Sequence, residues 1–422
     1  MKFLSNSTLV KSKAISKTVK KTTPYLNELR GIIGYHSPEG FLNLPRDKKL
    51  LREVLEVKKA KVSKNLKYII VIGIGGSNLG AKAIYDALFG YADVLEAKRF
   101  PKMIFADTND PESLAELKRF LRKVKRSNEI LINVVSKSGE TTETVANFEF
   151  ILGSLKRFRN IHERIVVTTD FGSKLYTLAL EKGITTLTVP HKVGGRFSVF
   201  SAVGLFPLAC AGINVSKFLG GARKASRAGL GVKGNPAAIS ASVIYLNLKR
   251  GKTIHDSFFF HPELESLGKW YRQLVSESLG KKRLAITPTV SVGSTDLHSI
   301  GQLYLGGPKN KLTTFIYTKA YRGKTLPKKR AFPELVKELK SKSAEEIMAA
   351  IFEGVKRVYK KESLPFMEVI LKDISPESLG EFMEFKMLET IFLGKFLGVN
   401  AFDQPAVQLY KKETGRILRG KQ

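Results

Sequence analysis

The sequence predicts an α/β protein with two sandwich domains on parallel sheets and a helical C-terminal extension. Short runs of aliphatic and β-branched residues alternate with longer segments whose apolar residues recur at helical spacing. The run Tyr-Ile-Ile-Val-Ile-Gly-Ile at 68–74, for example, precedes glycines and then a helical pattern at 78–88. Because strands that alternate with helices form βαβ units, the strands of each sheet are expected to be parallel.

Two sets of such alternations define the predicted domains. In residues 61–215, strands are predicted at 68–74, 103–106, 130–135, 165–168 and 185–189, each followed by a helix, and a long helical stretch at 199–230 is expected to bridge the two domains. In residues 216–375, strands are predicted at 253–260, 285–289, 313–317 and 366–371. Residues 1–60 are expected to form a helical extension, and residues 376–422 a C-terminal segment of two helices broken at 398–403.

The chain is strongly basic. It carries 71 Lys and Arg against 38 Asp and Glu in 422 residues, a formal net charge of +33. Such a charge attracts anions, including nucleic acid and sugar phosphates. The basic residues are spread over several predicted helices and a loop at 319–330, without zinc-ligand spacing or an aromatic RNA-binding signature. Specific nucleic-acid binding is therefore not expected.

The cysteine content and hydropathy indicate the compartment. The single cysteine, Cys210, lies in the apolar run 206–211, cannot form an intrachain disulfide and is expected to be a buried thiol. The N-terminus lacks the apolar stretch of a signal peptide, and no run reaches the ~18 apolar residues of a membrane span. We expect a cytoplasmic protein without membrane contact.

A glycine-rich loop at 73–80 follows the first predicted strand and begins a helix. Glycines let the backbone approach an oxyanion, and free N–H groups at the helix start attract it. The dinucleotide-binding fingerprint fits imperfectly, because the acidic residue Asp107 follows ~30 residues on rather than ~20. Gly76 and Ser77 are therefore expected to line a small ligand, with an unliganded tight turn as the alternative.

A second loop, Ser-Lys-Ser-Gly-Glu-Thr-Thr-Glu-Thr at 136–144, also follows a strand. Five hydroxyl groups beside free N–H groups at a helix start form a hydrogen-bonding cup for phosphate. The predicted phosphate-binding residues are Ser136, Lys137, Ser138 and Thr141. The alternative is that Ser138 or Thr141 is only a helix N-cap.

Several segments resemble one protein family, in its order, over residues 65–415. The loop at 136–144 resembles the phosphate-binding loop of the sugar isomerase (SIS) domain. Three other segments resemble signatures of the phosphoglucose isomerase family, especially its short bacterial members: Val-Gly-Gly-Arg-Phe-Ser at 193–198, Ser-Thr-Asp-Leu-His-Ser-Ile-Gly-Gln at 294–302, and Phe-Asp-Gln at 402–404 leading to Lys411. The resemblance implies two SIS-type domains.

The family's catalytic base is a glutamate in an E-S-x-G-K segment, which occurs twice here, at Glu265 and Glu277. In short family members the glutamate precedes the histidine by about 20 residues and follows a W-x-x-Q-L helix. Glu277 lies 21 residues before His298 and follows Trp-Tyr-Arg-Gln-Leu, whereas Glu265 lies 33 residues before it. Glu277 is the predicted base and Glu265 an exposed helical carboxylate.

The resemblance implies an aldose–ketose isomerase of glycolysis and gluconeogenesis, which interconverts glucose 6-phosphate and fructose 6-phosphate through an enediolate. Arg196 would stabilise the enediolate oxygen, His298 and Lys411 would move protons during ring opening, and Gln404 would add a hydrogen bond. The chemistry requires no metal and no redox cofactor. The family is also homodimeric, with the histidine supplied by the neighbouring subunit.

The lysine signature departs from the family pattern. Ala406 and Gln408 stand where the family has glycine and glutamate, so the environment of Lys411 is altered; Lys412 would point to another helical face. Two other functions are alternatives. A sugar-phosphate sensor would need no base, and other enzymes on this fold act on mannose 6-phosphate or transfer an amino group, the latter usually with an N-terminal cysteine that is missing here.

Overall fold

A computed structural model describes residues 1–90, 92–232, 234–320, 326–327, 329, 331–339 and 341–420. The predicted basic loop at 319–330 lies mostly outside them. The described strands are β1 (Lys2–Ser7), β2 (Tyr68–Ile72), β3 (Lys102–Ala106), β4 (Ile130–Val135), β5 (Ile165–Asp170), β6 (Thr185–Val189), β7 (Ile254–Phe259), β8 (Thr287–Val292), β9 (Lys311–Thr318) and β10 (Phe366–Leu371).

The described α-helices follow the alternation that the sequence predicts. They are α1 (Ser12–Lys20), α2 (Thr23–Arg30), α3 (Lys48–Lys61), α4 (Leu79–Phe89), α5 (Ala92–Leu95), α6 (Pro111–Lys123), α7 (Thr142–Ser154), α8 (Lys174–Glu181), α9 (Ala202–Cys210), α10 (Val215–Gly229), α11 (Pro236–Leu248), α12 (Glu265–Leu279), α13 (Gly301–Gly306), α14 (Ala344–Lys361), α15 (Pro376–Leu397) and α16 (Val407–Leu418).

The first sheet has five parallel strands in the order β3-β2-β4-β5-β6. Every residue of β4 and of β5 is buried, as expected for apolar strands covered by helices on both faces. The predicted α/β architecture is confirmed. The observed strand bounds differ from the predicted ones by at most two residues in this sheet.

The second sheet has the order β1-β10-β9-β7-β8 and is parallel except at its edge. There β1 runs antiparallel to β10, with Lys2 opposite Ile370. The prediction of a wholly helical N-terminal extension is therefore wrong for Lys2–Ser7. This polar segment forms a strand because the exposed edge of β10 supplies main-chain hydrogen-bond partners, which a local sequence pattern does not reveal.

The predicted long helical stretch at 199–230 is helical over most of its length, but it is divided. The structure has two helices, α9 and α10, separated by a turn in which Gly212 has a φ of +85°. Glycine adopts this left-handed conformation without steric cost, so it allows the chain to leave the helix. Cys210, in the last turn of α9, is buried as predicted, and burial raises the pKa of its thiol to about 12.

Helix α15 is a core helix, and α10 packs directly against it. A Cβ atom on Gly221 of α10 would lie 1.8 Å from the Glu377 carbonyl oxygen, and one on Gly380 would lie 2.0 Å from that of Phe218. Only glycine permits two helices to approach so closely. Beyond α15, an irregular segment at 399–406 leads to α16, whose residues are all at least partly exposed. No helix in the described part of the chain is long and apolar enough to cross a membrane.

Candidate active site

The two predicted ligand loops lie side by side at the carboxyl edge of the first sheet. The chain passes from β2 to β3 and then returns to the opposite side of β2 to form β4. The loops that follow β2 and β4 therefore diverge at a topological switch point, where open α/β sheets bind ligands. A Cβ atom on Gly73 would lie 2.9 Å from the Val135 carbonyl oxygen, so the loops begin in direct contact.

The glycine loop supports the segment that carries Arg196. A Cβ atom on Gly76 would lie 2.3 Å from the carbonyl carbon of Gly195 and 2.5 Å from the Arg196 amide nitrogen. The backbones of the two segments therefore touch, which only glycine allows. Ser77, next along the loop, is half-buried just before α4. The observed contact gives Gly76 a packing role in addition to any contact with a ligand.

The serine- and threonine-rich loop is held by its own hydroxyl groups. Ser136 is buried, its Oγ lies 3.1 Å from Thr141 Oγ1, and it accepts a bond from the Gly139 amide at 3.2 Å. Thr141 occupies the N-cap position of α7, yet its side chain does not cap the helix. The first N–H groups of α7 therefore have no side-chain cap, as suits a helix start that binds an anion. Ser138 is exposed, and its Oγ accepts from the Glu140 amide at 3.3 Å.

Lys137 adds a positive charge to this loop. Its side chain is half-buried, and burial lowers the pKa of the ammonium group most strongly. Lys192 lowers it further, whereas the Asp170 carboxylate opposes both effects. A phosphate dianion at the loop would favour the charged form, because opposite charges raise the pKa of a lysine.

Arg196 is the most completely enclosed charge of the site, with only 3 % of its side chain exposed. Its Nε donates to Ser278 Oγ at 2.8 Å, and its Nη2 donates to the carbonyl oxygens of Ala401 at 2.8 Å and Asp403 at 3.1 Å. Its Nη1 donates to Gln404 Oε1 and lies 3.4 Å from Glu277 Oε2. Burial lowers the pKa of the guanidinium, while the Glu277 and Asp403 carboxylates oppose that effect.

Glu277 lies in the last turn of α12, with 28 % of its side chain exposed. Its Oε1 accepts a hydrogen bond from Gln273 Nε2 at 2.9 Å, so both carboxylate oxygens face donors, Gln273 on one side and Arg196 on the other. Glu265, at the start of α12, pairs with Lys269 at 2.7 Å and is 41 % exposed. The prediction that Glu265 is an exposed helical carboxylate is confirmed.

Gln273 was not identified from the sequence as a site residue. It lies one helical turn before Glu277, and a Cβ atom on Gly75 would be 2.7 Å from its Nε2. Its Oε1 is buried and has no hydrogen-bond partner among the described residues. The i−4 spacing from the predicted base within the W-x-x-Q-L segment could have identified it.

No hydrogen bond or ion pair among the described residues joins His298 or Lys411 to this cluster. His298 follows the 3-10 turn Thr295–Leu297, and its imidazole is exposed, without a hydrogen bond or ion pair to any residue that the structure describes. Lys411 is exposed on α16 and likewise has no ion pair among the described residues. Their catalytic roles stay predictions.

Comparisons with known proteins agree on one family. The sequence profile of the Phosphoglucose isomerase family matches residues 45–421. The chain is 34 % identical over 361 residues to a probable glucose-6-phosphate isomerase of Methanococcus maripaludis, covering 85 % of this chain and 80 % of the relative. It is also 34 % identical to the glucose-6-phosphate isomerase of Thermus thermophilus, with 90 % of each chain covered.

A solved structure supports the same conclusion. A hypothetical protein from Thermus thermophilus superposes with a TM-score of 0.86 and 30 % identity, covering 99 % of this chain and 100 % of that one. Taken with the family profile, which spans most of the sequence, these matches assign the protein: the chain belongs to the phosphoglucose isomerase family.

Proposed function

We propose that the chain interconverts D-glucose 6-phosphate and D-fructose 6-phosphate by proton transfer through an enediolate. The observation that carries this proposal is the pairing of Glu277 with Arg196, whose Oε2 and Nη1 atoms lie 3.4 Å apart. A carboxylate that can take a proton thus lies beside a fixed cation that can stabilise the oxyanion formed when the proton leaves. Aldose–ketose isomerisation requires both.

In this mechanism Glu277 removes the proton from C2 of the open-chain aldose and returns it to C1. The C2–H electrons form the enediolate double bond as the C1 carbonyl bond opens, so negative charge develops on O1. The hydroxyl proton then passes from O2 to O1, and reprotonation at C1 leaves C2 as the carbonyl carbon. Arg196 stabilises that charge through the Nη1 N–H that faces Glu277 at 3.4 Å, because Nε, Nη2 and the other Nη1 hydrogen are already bonded to Ser278, to main-chain carbonyl groups and to Gln404. Arginine suits this role since it stays protonated throughout the reaction.

The phosphate group of the sugar is proposed to bind the loop formed by Ser136, Lys137, Ser138 and Thr141. Two observations support this placement: the uncapped N–H groups at the start of α7, and the half-buried Lys137 side chain in the same loop. Gly76 and Ser77 would line the sugar from the adjacent loop. Gln404 would hydrogen-bond near C1 and C2, since it already contacts Arg196 Nη1.

The protein is proposed to act as a homodimer in which His298 enters the neighbouring subunit's site and, with Lys411, moves protons during ring opening. The exposure of His298 supports this arrangement. So does α16, which carries four exposed apolar residues: Leu409, Tyr410, Ile417 and Leu418. Mixing two inactive variants, Glu277→Gln and His298→Ala, tests it. Mixed dimers would contain one site with both native residues, so recovered activity supports the shared site, and none argues against it.

We further propose that the enzyme is cytoplasmic and binds no nucleic acid specifically. The buried, unpaired thiol of Cys210 suits a reducing compartment. The basic residues lie on many surfaces, including α3, α6 and α14, rather than on a single groove. Their expected effect is a long-range attraction for anionic substrates.

A coupled assay tests the reaction itself. Purified protein is mixed with fructose 6-phosphate and EDTA, and the formation of glucose 6-phosphate is followed. Turnover would support a metal-independent isomerase. Binding of the sugar phosphate without turnover would instead favour a sensor and direct attention to Gln408, which replaces the glutamate of the family pattern.

A further inference from the structure

Lys281 connects the end of the base-carrying helix to the segment at 400–404. Its Nζ lies 2.8 Å from Asp403 Oδ1 and 2.8 Å from the Ser278 carbonyl oxygen, and it also donates to the carbonyl oxygen of Asn400. Only 12 % of its side chain is exposed. The three donor positions of the ammonium group are therefore used on two parts of the chain that are distant in sequence.

The same segment sets the orientation of Arg196. Nη2 is bonded to the carbonyl oxygens of Ala401 and Asp403, and Nη1 is bonded to Gln404. These acceptors lie between the end of α15 and the start of α16, outside regular secondary structure. A segment without a helix or strand ladder depends on side-chain bonds to keep its carbonyl groups in place.

Lys281 therefore keeps in place the segment whose carbonyl and side-chain oxygens accept hydrogen bonds from Arg196. It fixes Asn400 and Asp403, which flank the carbonyl group of Ala401, and through Ser278 it fixes them to the turn of α12 that carries Glu277. A small displacement of this segment would turn Nη1 away from the reacting oxygen. Misplacement by about 1 Å can lower a rate by roughly 100-fold.

We propose that Lys281 is a positioning residue, which orients Arg196 toward the enediolate without touching the substrate. The inference rests on the proposed function. The two kinds of Lys281 contact also differ: 52 % of the Asp403 side chain is exposed, so water weakens that ion pair, whereas the contacts with the carbonyl oxygens of Ser278 and Asn400 do not depend on the Asp403 charge. Lys281→Met, which removes all the contacts, is expected to have a larger effect than Asp403→Asn, which removes one charge.

The matched control is Lys282→Met. Lys282 is exposed and donates to the carbonyl oxygen of Gly398 at 3.0 Å, so it touches the same connection after α15 but not residues 400–404. The charge change and the side-chain replacement are identical to those of Lys281→Met. A general effect of surface charge or of anchoring α15 would therefore appear in both variants.

The test compares turnover with the affinities of two inhibitors. One is a planar, anionic hydroxamate with a terminal phosphate, which mimics the enediolate; the other is the saturated alcohol glucitol 6-phosphate, which does not. Since Arg196 acts on charge that develops in the transition state, Lys281→Met should lower kcat and hydroxamate affinity by about tenfold or more. KM and glucitol 6-phosphate affinity should change by less than about twofold. Asp403→Asn should show the same selectivity with a smaller loss, and Lys282→Met should match the parent protein.

Equal losses in Lys281→Met and Lys282→Met, equal weakening of both inhibitors, or no change would each overturn the proposal. If Lys281→Met does not fold, Asp403→Asn decides, with thermal melting to verify its stability: a stable Asp403→Asn protein without selective loss of hydroxamate affinity overturns it. If the proposed isomerase function is itself wrong, the parent protein will not turn over fructose 6-phosphate, which distinguishes that result from an error about Lys281. In that event the inhibitor affinities still report whether Lys281 orients Arg196.

Discussion

Gly76 and Gly195 are in backbone contact, although about 120 residues separate them in the sequence. A Cβ atom on Gly76 would lie 2.3 Å from the Gly195 carbonyl carbon and 2.6 Å from its oxygen. The loop that follows β2 therefore acts as a support for the turn Gly195–Phe197, which presents Arg196 to Glu277. Two loops that look independent in the sequence are parts of one structure.

Gly76→Ala is expected to lower kcat by about tenfold or more, because the added methyl group meets backbone atoms that have no rotamer with which to move aside. Steady-state kinetics and thermal melting measure the effect on activity and on folding. Gly153→Ala is the control, since a Cβ atom there meets nothing within 4 Å. It lies inside α7, where alanine is favoured over glycine, and should retain activity. A fully active Gly76→Ala protein would contradict the support role.

Glu277→Gln should abolish isomerisation while a phosphorylated inhibitor still binds. The amide keeps the shape of the side chain and can still accept a hydrogen bond from one of the two donors, Gln273 or Arg196, but it cannot accept the C2 proton. Turnover and inhibitor affinity are measured on the same preparation. Glu265→Gln is the matched control, because it makes the same change in the other E-S-x-G-K segment at an exposed position. An active Glu277→Gln protein with an inactive Glu265→Gln protein would reverse the assignment of the base.

The fold could be predicted from the sequence where local pattern and tertiary environment agree. Strands β4 and β10 begin and end where the apolar runs do, because strands buried on both faces consist mostly of apolar residues. Strand β1 could not be predicted in this way. Its polar sequence has no alternation, and it forms a strand only because the edge of β10 pairs with it.

The candidate site likewise contains residues that could be predicted from local sequence and contacts that could not. The number of residues before His298 and the preceding W-x-x-Q-L segment separate Glu277 from Glu265, and the helical i−4 spacing from Glu277 could have identified Gln273. The contacts of Lys281 with Asn400 and Asp403 could not be predicted from helical spacing. They join segments that are about 120 residues apart and depend on the packing of α15. Long-range contacts of this kind follow from topology rather than from local sequence.

Cys210 is expected to resist alkylation in the native protein. Burial at the end of α9 raises the pKa of the thiol to about 12, so hardly any reactive thiolate forms near about pH 8. Iodoacetamide labelling followed by mass spectrometry should show little modification in buffer and full modification in denaturant. Rapid labelling of the native, active protein would mean that α9 opens readily.

Glu384 is a fully buried carboxyl group on α15. Its Oε1 accepts from Ser226 Oγ at 2.5 Å, and its Oε2 has no hydrogen-bond partner among the described residues. Burial raises its pKa from 4.5 to about 8, although Ser226 and the charge of Arg46 oppose the shift. The group is therefore protonated in the folded protein at neutral pH, whereas it is ionised in the unfolded chain.

Because the folded pKa lies above the unfolded one, the folded state binds more protons between about pH 4.5 and pH 8, and the stability contribution of Glu384 declines over that range. Glu384→Gln keeps a hydrogen-bonding amide but cannot ionise. Its unfolding free energy should exceed that of the parent by on the order of a few kcal/mol at about pH 9, at ~1.4 kcal/mol per pKa unit, and by much less near pH 5. Urea unfolding at a series of pH values measures this. Glu377→Gln, at an exposed position of the same helix, should leave the pH dependence unchanged. A parallel pH dependence in Glu384→Gln and the parent would show that Glu384 does not titrate on unfolding.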